Sequence, residues 1–435
     1  MTLARPARAA RFAGAFSASL GDVARPLKDQ QFRWLWLATF AWNFARWMEM
    51  TATGWVALEL TGSAWLVALV GVCRNAFLPV AGPITGVLSD RFDRVRLMKA
   101  AQWGNVLVIG AVAAALATGH GAYWQLIVAS LWLGASWGID WPSRRALMAD
   151  MVGPERVLQA VVLDNVTQNL SRIVGPLIAG YLLAGYGGAG AFAGLTAAFL
   201  LASFTLLAVA SQTRTRVQVA SNVLRDLGSG LRYARADSVV WAVLVITVLM
   251  NMLLFPFMTL TSVFAEDVLH VGPVGLGQLG ALNGVGAALG LFILSPMRTG
   301  RMQARAFAAG SLLGCLGVTL FALSHSFPLS LALLFAAGLG TSAFGTMQST
   351  LILSRTEASM RGRAMGLLAF AIGTAPVGSL ALGLLVEQFG PQIALALTCG
   401  LCAILTAWAA INGRLFSVGA VSATAPPPTP APRPG

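Results

Sequence analysis

The chain has 435 residues, 57% of them hydrophobic and only 10% charged, with a mean hydropathy of +0.74; that balance excludes an ordinary soluble globular protein and implies a polytopic membrane protein. The formal charge of +13 does not point to nucleic acid, because the arginines are scattered through short segments between apolar runs instead of clustering on one soluble face. The four cysteines, Cys73, Cys315, Cys399 and Cys402, all lie inside apolar runs, where a disulfide framework is not expected.

Residues 1–31 carry Arg5, Arg8, Arg11, Arg25 and Lys28 around a weakly apolar middle, too short and interrupted for a cleaved signal peptide; they read as a cytoplasmic tail. Twelve apolar runs follow, at 32–60, 64–89, 97–118, 122–146, 157–184, 191–212, 238–264, 274–294, 305–323, 328–353, 362–387 and 391–411. Each is long enough to span about 30 Å of hydrocarbon as a helix. The longest polar interruption divides them into a first six-helix bundle, 32–212, a cytoplasmic linker, 213–237, and a second six-helix bundle, 238–414. The linker holds a helix-compatible basic stretch, 222–233, expected to lie along the membrane surface, and 415–435 form a Pro-rich tail expected to be disordered or polyproline-like.

Orientation follows from the positive-inside rule. Apart from Arg46, Arg74 and Arg172, which fall inside runs, the Lys and Arg, 26 of the 29, all lie on one side of the chain's alternating segments. Both termini are therefore expected on the cytoplasmic side.

The two halves echo one another. Leu88-Ser-Asp-Arg-Phe-Asp-Arg94 is matched by the degenerate Leu294-Ser-Pro-Met-Arg-Thr-Gly-Arg301, and at the same offset Leu133-Gly-Ala-Ser is matched by Leu339-Gly-Thr-Ser. Paired repeats of this kind place a substrate path between the halves near the midplane. The second copy keeps arginines but has Pro296 where Asp90 aligns.

The segment 86–96 concentrates charge between two apolar runs, and each charge would cost roughly 2.5–3.5 kcal/mol at the bilayer centre, so it must be a surface loop. Its Gly86, Asp90, Arg91, Arg94 and Arg96 resemble the loop signature of the major facilitator superfamily, with Asp93 standing where that pattern has glycine. The Asp-Arg-Phe-Asp-Arg variant and Trp55-Val-Ala-Leu-Glu-Leu-Thr-Gly-Ser63 look like the branch that includes enterobactin exporters and related efflux carriers. Gly175, Pro176 and Gly180 are similar to an exporter-associated Gly-Pro motif, although Ser171 and Ala179 replace expected glycines.

That resemblance implies an all-α fold of twelve transmembrane helices in two pseudo-symmetric six-helix bundles, in a bacterial inner membrane. It also implies that Asp90 braces the start of the eleventh helix, near Gly362 and Arg363, in one of two access states. A carboxylate at a helix N-terminus is favoured there by roughly 0.3–1 kcal/mol. The implied function is secondary active transport by alternating access, exporting a small amphipathic or anionic compound such as a siderophore-like metabolite or drug by proton antiport. Import by symport, lysophospholipid flipping and a non-transporting membrane sensor stand as alternatives. The expected partners are lipid, a small-molecule substrate and a proton or ion gradient, acting on a monomer with no cofactor, metal or nucleic acid and no enzymatic activity.

Residues inside the runs bear on substrate directly. Asn43, Arg46, Glu49 and Thr53 form a polar stripe on the first run, and the spacing of Arg46 and Glu49 allows an ion pair. The fifth carries Asn165, Gln168, Asn169 and Arg172, with Asp164 near its inner end, and Asp140 lies low on the fourth. Such groups face a bundle interior or an aqueous cavity. The excess of arginine makes Arg46, Arg74 and Arg172, with Asn165, Gln168 and Asn169, candidates for binding an acidic substrate group. The alternative is that the arginines brace helices by pairing with Glu49, Asp140 and Asp164. It stands open for Arg74 and Arg172, and Arg46 with Glu49 reads as structural unless Glu49 titrates. Glu49 and then Asp164 are the proton-coupling candidates, since His120, His270 and His325 map to loops. The second half offers the polar residues Asn251, Asn283, Gln348 and Thr374. The Gly275–Gly280 GxGxxG pattern, the Cys399–Cys402 pair and two sequons at Asn165 and Asn169 lie within apolar helices and carry no dinucleotide, redox or glycosylation role.

Overall fold

A computed structural model of the chain describes residues 24–77, 93–210, 223–295, 297, 299–357 and 360–417. Gly86, Asp90 and Arg91, most of the N-terminal and Pro-rich tails and the first part of the linker lie outside the described residues.

Helix starts are set by capping side chains. Asp29 accepts from the Phe32 amide at 3.0 Å and opens α1, Gln30–Thr61, which ends at Gly62 in the left-handed region (φ 60°), a conformation that costs glycine little. Ser63 caps α2, Ala64–Asn75. Asp93 caps α3, Arg94–Ala117, by accepting from the Arg96 amide at 2.9 Å. The residue that departs from the loop signature thus has a local task, satisfying one of the orphan amides at a helix start.

The chain continues through α4, Tyr123–Val152, and α5, Val157–Leu207, which kinks at Gly187 (φ 63°). The amphipathic linker helix α6, Val223–Ala236, follows. Asp237 caps α7, Ser238–Leu249, and pairs with Arg355 at 3.0 Å. Wide π turns at Met250–Leu254 and Phe264–Val268 flank α8, Phe257–Val263. Then come α9, Gly272–Leu294; α10, Gly300–Ala322; α11, Phe327–Arg355; α12, Arg361–Ile372; and α13, Ala375–Asn412, kinked at Gly390 (φ 78°).

Seven described stretches are long and apolar enough to cross a membrane, against twelve runs expected. The fifth and sixth runs are joined in one stretch, as are the eleventh and twelfth. The first and fourth carry tryptophans and charges that lower their hydropathy, and of the second run, 64–89, only residues 64–77 are described. No strand occurs among the described residues. Large apolar side chains such as Leu107, Phe292, Ile404 and Trp408 point outward, while Gln102, Asn105, Asp140 and Arg144 are buried. That is the polarity of a helix bundle in lipid.

The first half is knit by α1 and α3 against α5, and the second by α11 against α9 and α10. The halves meet where α5 packs on α9, α2 on α13, and α8 on α1 and α2. These meetings are close because they are glycine-lined. A Cβ at Gly180 would sit 2.5 Å from the Pro273 carbonyl oxygen, one at Gly277 2.7 Å from that of Pro176, and one at Gly71 2.8 Å from Thr259 Oγ1. The Gly175–Pro176–Gly180 motif is therefore part of the α5–α9 seam, where small residues let backbones approach. These contacts run from about the middle of the helices toward the end bearing the 61–63 turn and Gly390. Gly180→Leu is expected to wedge this seam, lengthening the distance between spin labels on Tyr181 and Leu329 by several ångström. An unchanged distance would contradict the close approach.

Candidate functional site

Between the halves lies a cavity of about 1070 Å³, counting its open mouth, walled by α1, α2 and Trp137 of α4 on one side and by the π turn, α8, α12 and α13 on the other. Arg46, Glu49 and Arg74 face it, among Trp47, Met50, Phe255 and Met258. Asn251 and Ser379 supply neutral polar groups from the second half.

The expected Arg46–Glu49 pair is replaced by another. Glu49 Oε2 lies 3.1 Å from Arg74 Nη2, and Thr53 donates to Glu49 Oε1 at 3.1 Å. Arg74 also donates to the Arg46 carbonyl oxygen at 3.4 Å. The reason is geometric: α2 crosses α1 so that Arg74 meets Glu49 between the helices. Arg46 instead turns its guanidinium over the Trp137 ring, 4.2 Å from the centroid. Such stacking is worth roughly 0.5–2 kcal/mol and leaves the N–H groups at the ring's edge available.

Arg172 lines an adjoining narrow pocket of about 520 Å³, counting its open mouth. It crosses the seam between halves, donating from Nη2 to Asn283 Oδ1 at 2.6 Å, while Asn283 donates to the Leu334 carbonyl at 3.0 Å. Its guanidinium stands 5.2 Å from the Trp47 ring.

The remaining candidates on α5 line neither space. Asn165 is exposed, Asn169 donates to the Asn165 carbonyl at 2.7 Å, and Gln168 donates to Asp164 Oδ2 at 3.2 Å. Asp164 also pairs with Arg145 at 3.3 Å, and Arg145 lies over Trp141. Gln168 and Asn165 continue the Arg172–Pro176 face one and two turns before Arg172. Asn43 donates to Thr167 Oγ1 at 3.1 Å, tying α1 to this arm. In the second half Asn251 caps back onto the Thr247 carbonyl, Gln348 accepts from Thr247, and Thr374 donates to the Ala371 carbonyl. Of the loop signature, Arg94 pairs with Asp150 at 3.3 Å at the surface, an arrangement worth at most about 1 kcal/mol.

One group expected in a loop is buried. Arg144 is 2% exposed, because α4 continues through Pro142 to Val152 instead of ending at residue 146. Its Nε lies 2.7 Å from Asp140 Oδ1 and its Nη2 3.1 Å from Asp140 Oδ2. Gln102 donates to Asp140 at 2.6 Å and Arg144 to Thr39 Oγ1 at 3.2 Å, beneath the Trp42 ring. This bidentate, hydrogen-bonded set joins α1, α3 and α4.

Trp47 and Trp137 were not legible as site residues. Their depth was the available signal, since membrane tryptophans concentrate at the interfaces and these two sit beside midspan arginines. Among the described residues there is no group of three or more His, Cys, Asp or Glu arranged to hold a metal.

Residues 22–432 match the model of a family described as transmembrane secretion effectors. Macrolide efflux protein A of Streptococcus pyogenes is 24% identical over 352 residues, covering 76% of this chain and 83% of that protein. The enterobactin exporter EntS of Shigella boydii serotype 4 is 25% identical over 333 residues, covering 74% and 78%. The crystal structure of a bacterial homologue of the human lysosomal transporter Spinster, inward-facing and unoccupied, superposes with a TM-score of 0.71 at 13% identity, over 89% of this chain and 98% of that one. The likeness to that structure is one of fold.

Proposed function

The chain belongs to the transmembrane secretion effector family of major facilitator transporters, and on that footing we propose that it exports a small amphipathic anion from the cytoplasm by proton antiport. It is an integral membrane protein. In this reading twelve helices cross the membrane as two six-helix halves, 32–212 and 238–414, joined by the linker 213–237, with both termini cytoplasmic, and the halves rock about the central cavity. Efflux relatives and the closed seam opposite the cytoplasmic end support it, that seam being what a cytoplasm-open state requires. Asp90, when its loop docks, would then brace α12 in the opposite state.

One observation carries the substrate class. The Arg46 guanidinium meets no carboxylate among the described residues and lies over Trp137 in a cavity walled by aromatic and methionine side chains. Such a site offers a cation to an acidic group and apolar surface to the body that carries it. Arg74, whose charge is matched by Glu49, sets the cavity's balance. Glu49 is the coupling group, a carboxylate beside an arginine that exchanges partners when it protonates. Asp164, paired with Arg145 on the lower arm of α5, is the second candidate.

Equilibrium dialysis against fluorescein, an amphipathic aromatic carboxylate, tests this. Arg46→Gln is expected to weaken fluorescein binding at least tenfold and to leave binding of its uncharged methyl ether methyl ester within twofold. Equal affinity of wild type and variant for fluorescein would remove Arg46 from recognition, and no binding by wild type would remove the anionic substrate class.

A further inference from the structure

A small pocket inside the first half, behind the Arg46–Glu49 face of the cavity, leads us to infer a fixed water that joins these two side chains and is held by Ser136 and Asn105; its part in transport rests on the export reading above. Arg46, Glu49, Arg74 and Trp137 line both the cavity and this pocket. They are the partition between the two spaces. Beyond them the pocket is closed by residues of α3, α4 and α5, with Leu133 and Phe199 among its apolar members. It has room for about one water, which suits a buried water provided that roughly two to four polar groups face it.

Those polar groups converge from three helices. Ser136 is 3% exposed, and its hydroxyl has no hydrogen-bond partner among the described residues. Ser143 on the same helix, by contrast, donates to the Ile139 carbonyl at 2.7 Å. Asn105 is 1% exposed and its Oδ1 accepts from Trp132 Nε1 at 3.0 Å, so its amide N–H groups are the donors left over. Arg46 adds a guanidinium that meets no carboxylate among the described residues. Glu49 supplies the acceptor: Oε1 takes the Thr53 hydroxyl and Oε2 takes Arg74, and each oxygen keeps a second lone pair. Buried donors left without acceptors are costly. One water resolves the mismatch, accepting from Ser136 and from Arg46 or Asn105 while donating to Glu49.

Helical register places these groups together. Ser136 lies one turn before Asp140 on α4 and Asn105 one turn after Gln102 on α3, so the Asn105–Ser136 pair forms the next rung beyond the Gln102–Asp140 bond of 2.6 Å. The crossing of α2 gives Glu49 to Arg74 in place of Arg46, and the water restores the link between Arg46 and Glu49 at one remove. An anion that draws on the Arg46 guanidinium is then felt at Glu49 through a contact on the side away from the cavity. Ser136 is therefore a positioning residue for both.

Hydroxyl radicals generated by an X-ray pulse label side chains beside ordered waters, and mass spectrometry reads the sites. Phe199 lines this pocket but not the cavity and is 2% exposed, so bulk solvent does not reach it; Phe192, fully buried on the same helix, is the control. In the full-length protein in detergent, Phe199 is expected to be labelled at least fivefold faster than Phe192, and Ser136→Val, whose methyl groups fill the pocket, to bring it to the Phe192 rate. Equal rates in wild type would overturn the water. The bridge is read from fluorescein affinity: the effect of Arg46→Gln with Glu49→Gln is expected to depart at least threefold from the product of the single effects, and the departure to shrink at least twofold when Ser136→Ala is added. A departure that Ser136→Ala leaves unchanged would overturn the bridge and leave the export reading standing. No fluorescein bound by wild type would overturn that reading and the bridge's part in transport, while faster labelling of Phe199 would still establish the water.

Discussion

Asp140→Ala is expected to lower the stability of the detergent-solubilised protein by about 3–5 kcal/mol, the cost of leaving a buried charge without its partner. Arg144 is 2% exposed and its carboxylate partner fully buried, so water cannot replace the lost bonds. Two of the three contacts that hold the Arg144 guanidinium come from Asp140, and Gln102 would lose its acceptor at the same time. The loss is read as a fall in the midpoint of thermal unfolding followed by tryptophan fluorescence. Replacing the pair together, Asp140→Leu with Arg144→Met, is expected to restore most of it, because the desolvation of both charges is then removed. A midpoint within a degree of wild type for Asp140→Ala would mean that Arg144 is hydrated in the membrane.

Glu49→Gln is expected to abolish the dependence of transport on a pH gradient while leaving downhill movement of fluorescein intact. Glutamine keeps an oxygen for the Thr53 hydroxyl, which now donates to Glu49 Oε1, but it cannot neutralise Arg74 at any pH. The cavity would then hold a permanent positive excess, the condition that protonation of Glu49 produces transiently. Fluorescein entry coupled to proton release, followed with a trapped pH dye, should show release in wild type and none in the variant. Equal proton release would remove Glu49 from coupling and move attention to Asp164.

Much of this architecture can be read from residues alone, for physical reasons that differ by element. Apolar runs separated by arginine-rich turns announce helices in lipid, because charge cannot be left in hydrocarbon. The stripe Asn43–Arg46–Glu49–Thr53 announces a polar lining, because its period matches a helical face. Partners across helices are another matter. Glu49 could have paired with Arg46 along α1 or with Arg74 across to α2, and only the crossing of the two helices decides for Arg74. Arg144 looked like a loop charge because Pro142 and the double arginine mimic a helix end, yet α4 runs through them, and Asp140 one turn earlier makes burial tolerable. Asp93, a departure from the signature, reads in the structure as the cap of α3. Trp137 carries no charge and no motif, and its place over Arg46 depends on the packing of α1 against α4.

Accumulation of fluorescein in everted membrane vesicles tests the central claim, that the Arg46 cavity moves an amphipathic anion outward at the expense of a proton gradient. With the vesicle lumen acidified by respiration and the membrane potential collapsed by valinomycin and K⁺, a weak acid distributes passively away from the lumen, so accumulation there requires coupling to protons. Wild-type vesicles are expected to concentrate fluorescein in the lumen, to lose it when a protonophore collapses the gradient, and to show neither behaviour with Arg46→Gln. Wild-type vesicles that leave fluorescein at its passive distribution, or that expel it faster when energised, would contradict the claim.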